Sequence, residues 1–211
     1  SLSPYIHNYW SKKYNKNLKY QKFEISEKHL TKFFDTFRKN EKFKGFNVTI
    51  PYKINFISLC DKITPKAKKI GSVNLVYKRN NLIIGDNTDV IGFEKSFKKL
   101  KKIQSKKILL IGAGGAARSI LYYLNKKRIK NIDVFATSFI RKENICNDFS
   151  IKNFVVKTNL LKKKYDLIIN SSSGGMVGKS PLNRNIIKLA DGAKGVIDIV
   201  YNPEMTPLLN R

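Results

Sequence analysis

The sequence is poor in acidic residues and cysteines, and it contains no long hydrophobic run. Asp and Glu number 15 against 42 Lys and Arg, which gives a formal net charge of +27. The two cysteines, Cys60 and Cys146, lie far apart and have no second pair to complete a metal cage. No stretch reaches the roughly 18 to 20 consecutive apolar residues of a membrane-spanning helix. We therefore expect a cytoplasmic protein without a targeting segment.

Arginine is also scarce, and its scarcity bears on the large positive charge. Only seven of the 42 basic residues are Arg, and the lysines are spread through every segment. Surfaces that read bases or clamp phosphates favour the bidentate guanidinium, so this pattern argues against nucleic-acid binding as the main function. A basic, non-catalytic polyanion-binding protein stays an alternative. The two histidines, His7 and His29, have no ligand at metal-binding spacing, so no metal site is expected.

The first half of the chain alternates short helical and strand-like patterns. Ser3 and Pro4 indicate the cap and first turn of a helix, and Ser26 indicates the cap of a second. A third, short helix is expected from Pro51 to about Cys60. Strands are predicted over residues 18–25, 46–50, 72–77 and 82–85, with the last two joined by a turn at residues 79–81.

The second half carries the clearer pattern, an alternation of apolar strands and amphipathic helices. A helix that starts near Asp89 and ends at about residue 102 is expected to link two domains. Strands follow at residues 107–111, 132–136, 154–156, 165–169 and 195–200. Such alternation is typical of a parallel sheet with crossover helices. The predicted fold is α/β, with a substrate-binding domain over residues 1–88 and a Rossmann-like dinucleotide-binding domain over residues 89–211.

A glycine-rich turn follows the first strand of that second domain. Gly112-Ala113-Gly114-Gly115-Ala116-Ala117 fits the G-x-G-x-x-G/A fingerprint of dinucleotide-binding proteins. Gly112 permits the tight turn, Gly114 lets the backbone approach a pyrophosphate, and Ala117 lets helix and strand pack closely. The diphosphate would lie at the helix N-terminus, where free N–H groups favour negative charge.

The end of the next strand bears on the choice of cofactor. An NAD-binding site usually offers a carboxylate there to the ribose 2′-hydroxyl, and this chain has Thr137 and Ser138 instead. Both hydroxyls can bond a 2′-phosphate, and Arg141 can supply charge. The sequence therefore favours NADP over NAD, with the alternative that Arg141 only starts a solvated helix.

Four polar clusters lie outside the glycine-rich turn, and their order along the chain resembles the shikimate dehydrogenase family. The segments SLSPYIHN, FNVTIPYK, GSVN, GDNTDVIGF, GAGGAARS, NSSSGGM and DIVYNPEMTPLL correspond in order to motifs of that family. The resemblance runs almost end to end. It implies a reversible, usually NADPH-linked reduction of 3-dehydroshikimate to shikimate in the biosynthesis of chorismate and aromatic amino acids.

The same resemblance implies roles for individual residues. Lys53 and Asp89 would be the catalytic pair. The hydroxyls of Ser1 and Ser3 would hold the substrate carboxylate, and Tyr201 would help to close the pocket. The residues implied to contact the ring hydroxyls are Asn47, Thr49, Asn74 and Asp89. Those implied to line the cofactor side are Asn170, Ser171 and Ser172.

A physical argument for Lys53 stands beside the resemblance. Hydride transfer to a ketone creates an alkoxide that needs a proton, and a suitably tuned lysine can give and recover one. In a helix opened by Pro51, the positive helix end would disfavour the Lys53 ammonium, whereas the Asp89 carboxylate would favour it. We expect Lys53 to be mostly protonated but able to exchange.

The sequence departs from the family pattern in several places. It starts inside the Ser-x-Ser motif and stops at Arg211, so we expect a chain that is shorter than family members at both ends. Leu75 stands where the family often has Thr. Ala136-Thr137-Ser138 replaces an Asn-Arg-Thr segment whose arginine stacks on adenine and binds the 2′-phosphate. An NAD-using quinate/shikimate dehydrogenase is therefore a second alternative, and oligomeric state is not predicted.

Overall fold

A computed structural model describes residues 2–99, 107–151, 153–154 and 163–211 of the chain. Two compact packing units are present, the first ending at Phe43 and the second starting at Lys44. The predicted α/β class is confirmed, because the chain forms one mixed sheet and one fully parallel sheet with helices between the strands. The predicted domain boundary at residues 88 and 89 stays a prediction.

The first unit contains two α-helices, α1 (Ser3–Lys13) and α2 (Leu30–Lys39), with a short 3-10 turn at Glu27–His29. The predicted cap of α1 is wrong by one residue, because Leu2 is the N-cap and makes no side-chain cap bond. Ser26 does precede the 3-10 turn that leads into α2, although its hydroxyl bonds the His29 ring rather than the backbone.

The strand predicted over residues 18–25 does not form. Its polar backbone groups find other partners on α1. The Asn8 carboxamide bonds both N–H and C=O of Tyr20, and the Ser11 hydroxyl bonds the C=O of Leu18. Since a strand requires a neighbouring strand for its ladder, backbone groups satisfied by helix side chains leave this segment irregular.

Four strands of the second unit form a mixed sheet in the order β1-β3-β4-β2. These strands are β1 (Gly45–Asn47), β2 (Lys62–Ile63), β3 (Leu75–Arg79) and β4 (Leu82–Asp86). The predicted hairpin is confirmed. Asn80 and Asn81 have φ of 50° and 60°, as expected for the two central residues of a type I′ turn. The predicted strand at 46–50 ends earlier, at Asn47.

The helix predicted from Pro51 is also shorter than expected. Residues 51–55 form turns, and α3 covers only Phe56–Leu59. The Lys53 carbonyl accepts a hydrogen bond from the Val73 N–H at 2.7 Å, so this tertiary bond occupies a group that a helix would need. Lys53 therefore does not lie in the first turn of a helix, and our argument from the positive helix end is wrong.

The remaining helices and strands form the parallel sheet and its cover. The helices are α4 (Pro65–Ile70), α5 (Asp89–Lys98), α6 (Gly115–Lys126), α7 (Phe139–Asp148) and α8 (Arg184–Lys188), with a 3-10 turn at Leu189–Gly192. The strands are β5 (Ile108–Ile111), β6 (Ile132–Phe135), β7 (Asn153–Phe154), β8 (Leu167–Asn170) and β9 (Gly195–Asp198). The predicted alternation is confirmed, except that residues 100–102 and 155–156 of our predicted elements lie outside the described residues.

The parallel strands are ordered β7-β6-β5-β8-β9, so the chain starts in the middle and winds outwards in both directions. Alternate residues of β5 face the two sides of the sheet. Ile108 and Leu110 pack with residues of α6 and α7, and Leu109 and Ile111 pack with Ile186 of α8. Burial on both faces explains the continuous apolar run. In this topology, ligands bind where the order reverses, beyond the carboxyl ends of β5 and β8.

Candidate active site

The predicted catalytic pair forms a close ion pair. The Lys53 ammonium lies 2.7 Å from Oδ2 of Asp89, and the two side chains are 15% and 29% exposed. Lys53 comes from the turns between β1 and α3, whereas Asp89 is the first residue of α5. The carboxylate benefits from the positive end of that helix. The pair is thus sheltered from solvent but still open to a ligand.

The second carboxylate oxygen of Asp89 is held by Asn74. The Asn74 amide donates to Oδ1 at 2.6 Å, and its oxygen accepts from the Thr88 N–H at 2.8 Å. Because both ends of the Asn74 amide are bonded, its orientation is defined. The Asp89 carboxylate is therefore fixed from two sides, by Asn74 and by Lys53.

Asn47 and Thr49 are the other two residues predicted to contact the ring hydroxyls of the substrate. Asn47, at the end of β1, directs its amide towards the Asn74 carbonyl at 3.4 Å. Thr49 is exposed, and its hydroxyl lies 3.4 Å from the Ile50 carbonyl. The contact of either side chain with a substrate stays a prediction.

The predicted carboxylate-binding and pocket-closing residues are placed as follows. Ser1 lies outside the described residues. Ser3 is in the first turn of α1, and its hydroxyl bonds the side chain of Tyr20. Tyr201 follows β9 and is 59% exposed. Their roles toward a substrate stay predictions.

The glycine-rich turn joins β5 to α6 as the fingerprint predicts. Gly112 has φ of +108°, which favours glycine, and Ala117 is fully buried against the sheet. A Cβ added to Gly114, the N-cap of α6, would have no atom within 4 Å. Open space therefore faces the backbone at the start of α6, where a diphosphate needs close approach. These residues fit a dinucleotide.

The segment after β8 packs against the glycine-rich turn at Gly112. A Cβ on Gly112 would lie 2.7 Å from the Ser171 hydroxyl, which itself donates to the Ile111 carbonyl at 2.7 Å. The Asn170 amide donates to the Gly174 carbonyl and to Asp198. The side chains of Asn170 and Ser171 are thus bonded within the protein, and Ser171 lies beside Gly112; their contact with a cofactor stays a prediction.

A cavity of about 400 Å³ opens beside Ala113. Its polar lining comes mainly from α6 and α7. The lining residues are Ile54, Ala113, Arg118, Arg141, Asn144, Asn147 and Asp148. Of the residues predicted to select the cofactor, Arg141 lines this cavity, Ser138 caps α7 by accepting from the Arg141 N–H, and Thr137 is exposed. Arg118 is paired with Asp148 in this cavity, so Arg141 is the guanidinium that fits a phosphate-bearing ligand there.

The structure also reveals residues to which the sequence assigned no role. Arg118 bonds the carbonyls of Ile70 and Gly71, each at 3.1 Å, and pairs with Asp148. Ser72 and Asn87 are both fully buried and bonded to each other. The polar clusters GSVN and GDNTD contain Ser72 and Asn87, so their positions, though not their partners, were visible in the sequence.

Among the described residues, no group of His, Cys, Asp and Glu side chains could hold a metal ion. No helix in the same part of the chain is long and apolar enough to cross a membrane.

Two family profiles match the chain in succession. The profile described as the shikimate dehydrogenase substrate binding domain matches residues 1–76. The profile described as shikimate / quinate 5-dehydrogenase matches residues 94–203.

Individual proteins similar to this chain are also shikimate dehydrogenases. The shikimate dehydrogenase (NADP(+)) of Pelagibacter ubique is 35% identical over 214 residues, covering 99% of this chain and 78% of the relative. The crystal structure of shikimate dehydrogenase 1 from Peptoclostridium difficile superposes with a TM-score of 0.85 at 32% identity, covering 100% of this chain and 76% of that one. A Thermus thermophilus shikimate 5-dehydrogenase, solved in complex with NADP(H) and shikimate, has a TM-score of 0.80 at 26% identity and covers 100% and 78%.

Proposed function

This chain belongs to the shikimate dehydrogenase family, and we propose that it catalyses the reversible, NADP-linked reduction of 3-dehydroshikimate to shikimate. The observation that carries the proposal is the Lys53–Asp89 ion pair, 2.7 Å long, whose lysine packs against Gly115 of the glycine-rich turn. The family match names the reaction, and this pair supplies the proton transfer that the reaction needs. The cytoplasm is the proposed compartment, and the place in chorismate biosynthesis follows from the substrate.

Lys53, Asp89 and Asn74 each have a separate role in the proposed reaction. NADPH held at the start of α6 would supply the hydride that the carbonyl carbon of the substrate receives. Lys53 donates a proton from Nζ to the carbonyl oxygen, so the C=O bond becomes CH–OH, and Lys53 takes the proton back in the reverse direction. Asp89 stabilises the ammonium and fixes its position. Asn74 holds Asp89 so that the carboxylate cannot rotate away.

The substrate and cofactor contacts are proposed from the family pattern and the placement of polar groups. Ser1 and Ser3 would bind the substrate carboxylate, Asn47, Thr49, Asn74 and Asp89 its ring hydroxyls, and Tyr201 would close the pocket. For the cofactor, the start of α6 would bind the diphosphate, and Arg141 would bind the 2′-phosphate from the cavity beside Ala113.

The test of this function is an initial-rate assay with shikimate and NADP, repeated with NAD and with quinate. We expect a much larger kcat/KM for shikimate with NADP than for any other combination. Higher rates with NAD and quinate would instead favour a quinate/shikimate dehydrogenase. A chain that oxidises neither acid would contradict the proposal.

Replacement of the proton donor provides the sharper prediction. Lys53→Ala should lower kcat by about 10²–10⁴-fold, the usual contribution of general acid–base catalysis, with little change in KM for shikimate. Lys188→Ala, which removes an exposed lysine of α8, is the matched control and should retain the wild-type kcat. An unchanged kcat in Lys53→Ala would remove Lys53 from the mechanism.

A further inference from the structure

The dinucleotide fingerprint does not explain why position 115 is a glycine. The fingerprint needs small residues at 112, 114 and 117, so position 115 is free to vary in it. In the structure, a Cβ on Gly115 would lie 2.8 Å from Cβ of Lys53 and 3.0 Å from its Cδ. Real Cβ contacts are not this short. The lysine side chain therefore lies directly on the backbone of the glycine-rich turn.

Ser72 contacts the same glycine. Its hydroxyl donates to the Gly115 carbonyl at 3.2 Å, and its Cβ would be 3.3 Å from a Cβ added at position 115. Ser72 also precedes Val73, whose N–H donates to the Lys53 carbonyl. The backbone of Lys53 and the start of α6 are thus both held by one short segment.

Asn87 completes this arrangement. Its amide group donates to both the carbonyl (3.1 Å) and the hydroxyl (2.9 Å) of Ser72, and its oxygen lies 3.2 Å from the Ser119 hydroxyl of α6. Because a carbonyl only accepts, the nitrogen must face Ser72, and the amide has one possible orientation. Asn87 is fully buried and stands two residues before Asp89. It has no surface with which to touch a ligand.

From these contacts we infer that Gly115, Ser72 and Asn87 are positioning residues, which set the place of Lys53 and Asp89 relative to the cofactor-binding turn. The inference rests on the proposed function. Hydride and proton must reach two bonded atoms of the substrate, so the distance from the turn to the Lys53 ammonium determines whether both transfers are aligned. Direct packing of Lys53 on Gly115 fixes that distance before any ligand binds.

Gly115→Ala tests the close contact. Alanine is a better helix former than glycine, so the variant should fold. The new methyl group should displace Lys53 and lower kcat on the order of 10²-fold, as misplacement of a catalytic group does. The KM for shikimate should stay close to wild type. Gly192→Ala is the control, because a Cβ there meets nothing within 4 Å.

Asn87→Asp tests the buried network without a change of shape. A carboxylate oxygen would face the Ser72 carbonyl in place of a donor, so the contact becomes repulsive. We expect the same pattern, a lower kcat with an increased solvent isotope effect, because proton transfer from a displaced Lys53 becomes slower. Asn185→Asp, at an exposed position of α8, should change neither quantity.

A readout that does not depend on turnover separates the outcomes. Acetylation of Lys53 by acetic anhydride, followed by peptide mass spectrometry, should be slow in the wild type and faster in Gly115→Ala and Asn87→Asp. Unchanged labelling together with unchanged kcat in both variants would overturn the inference. If the wild type oxidises no shikimate, the proposed function fails, yet faster labelling in the variants would still support the positioning role.

Discussion

At the scale of single residues, Asp86 at the end of β4 is a carboxylate that stabilises the mixed sheet. Partial burial acts to raise the pKa of this carboxyl group, but hydrogen bonds from Thr64, the Asn87 N–H and Lys66 outweigh it and hold the pKa below its ordinary value of 3.8. Asp86 directly precedes Asn87, so the carboxylate also fixes the start of the segment that ends in Asp89.

This lowered pKa predicts how stability depends on pH. A group whose pKa is lower in the folded state stabilises the fold above its unfolded pKa, and this contribution is lost as the pH falls through the folded value. Asp86→Asn should therefore lower the free energy of unfolding by about 1–2 kcal/mol at pH 7. Urea denaturation should show the difference from wild type shrinking below about pH 4.

Asp35→Asn provides the control for that series, since Asp35 is exposed on α2. Its difference from wild type should be small at every pH. A difference for Asp86→Asn that grows as the pH falls would contradict the assigned direction.

At the scale of the element, the parts predictable from the sequence are those determined by local patterns. The apolar run of β5, the glycine-rich turn and the spaced apolar face of α6 occupy neighbouring positions, and each was predicted. The predictions of a strand at 18–25 and of a helix from Pro51 were wrong, because hydrogen bonds to residues elsewhere in the chain determine both segments. These residues are Asn8 and Ser11 for the first segment and Val73 for the second.

The polar network of the site was missed for the same reason. Asn87 bonds Ser72 across 15 positions and Ser119 across 32 positions. No local pattern reveals such pairs. The sequence singled out Lys53 and Asp89 through motifs of a known family, and the structure brings these two residues together, whereas the Gly115 contact with Lys53 needs coordinates.

Because Arg141 of α7 lines the cavity beside Ala113, we expect this helix to determine the preference for NADP. Arg141→Ala should raise the KM for NADP about 10-fold or more, because a charge-assisted bond to phosphate contributes about 1.5–3 kcal/mol. The KM for NAD, which has no 2′-phosphate, should not change. Arg184→Ala, at an exposed position of α8, is the control. Equal effects on NADP and NAD would place Arg141 away from the 2′-phosphate.

At the scale of the whole molecule, the net charge of +27 is the property that the proposed function does not require. Lysines outnumber arginines strongly and are spread along the chain. A diffuse positive charge attracts polyanions without selecting a sequence, and salt screens this attraction.

Fluorescence anisotropy with a labelled DNA duplex should therefore detect binding at about 20 mM salt and its loss near 0.15 M. An unrelated duplex of equal length should bind equally well. Binding that persists at high salt and prefers one sequence would instead support the polyanion-binding alternative.

The contact between Gly115 and Lys53 also has a consequence for how the cofactor preference of this enzyme can be altered, by selection or by design. The glycine-rich turn would face the dinucleotide at Gly114, where space is open, and it contacts the Lys53 side chain at Gly115. A turn grafted from another dehydrogenase, with any larger residue at position 115, would displace Lys53. Thr137, Ser138 and Arg141 are not part of that contact, so we expect substitutions at these three positions to change the preference between NADP and NAD without displacing Lys53.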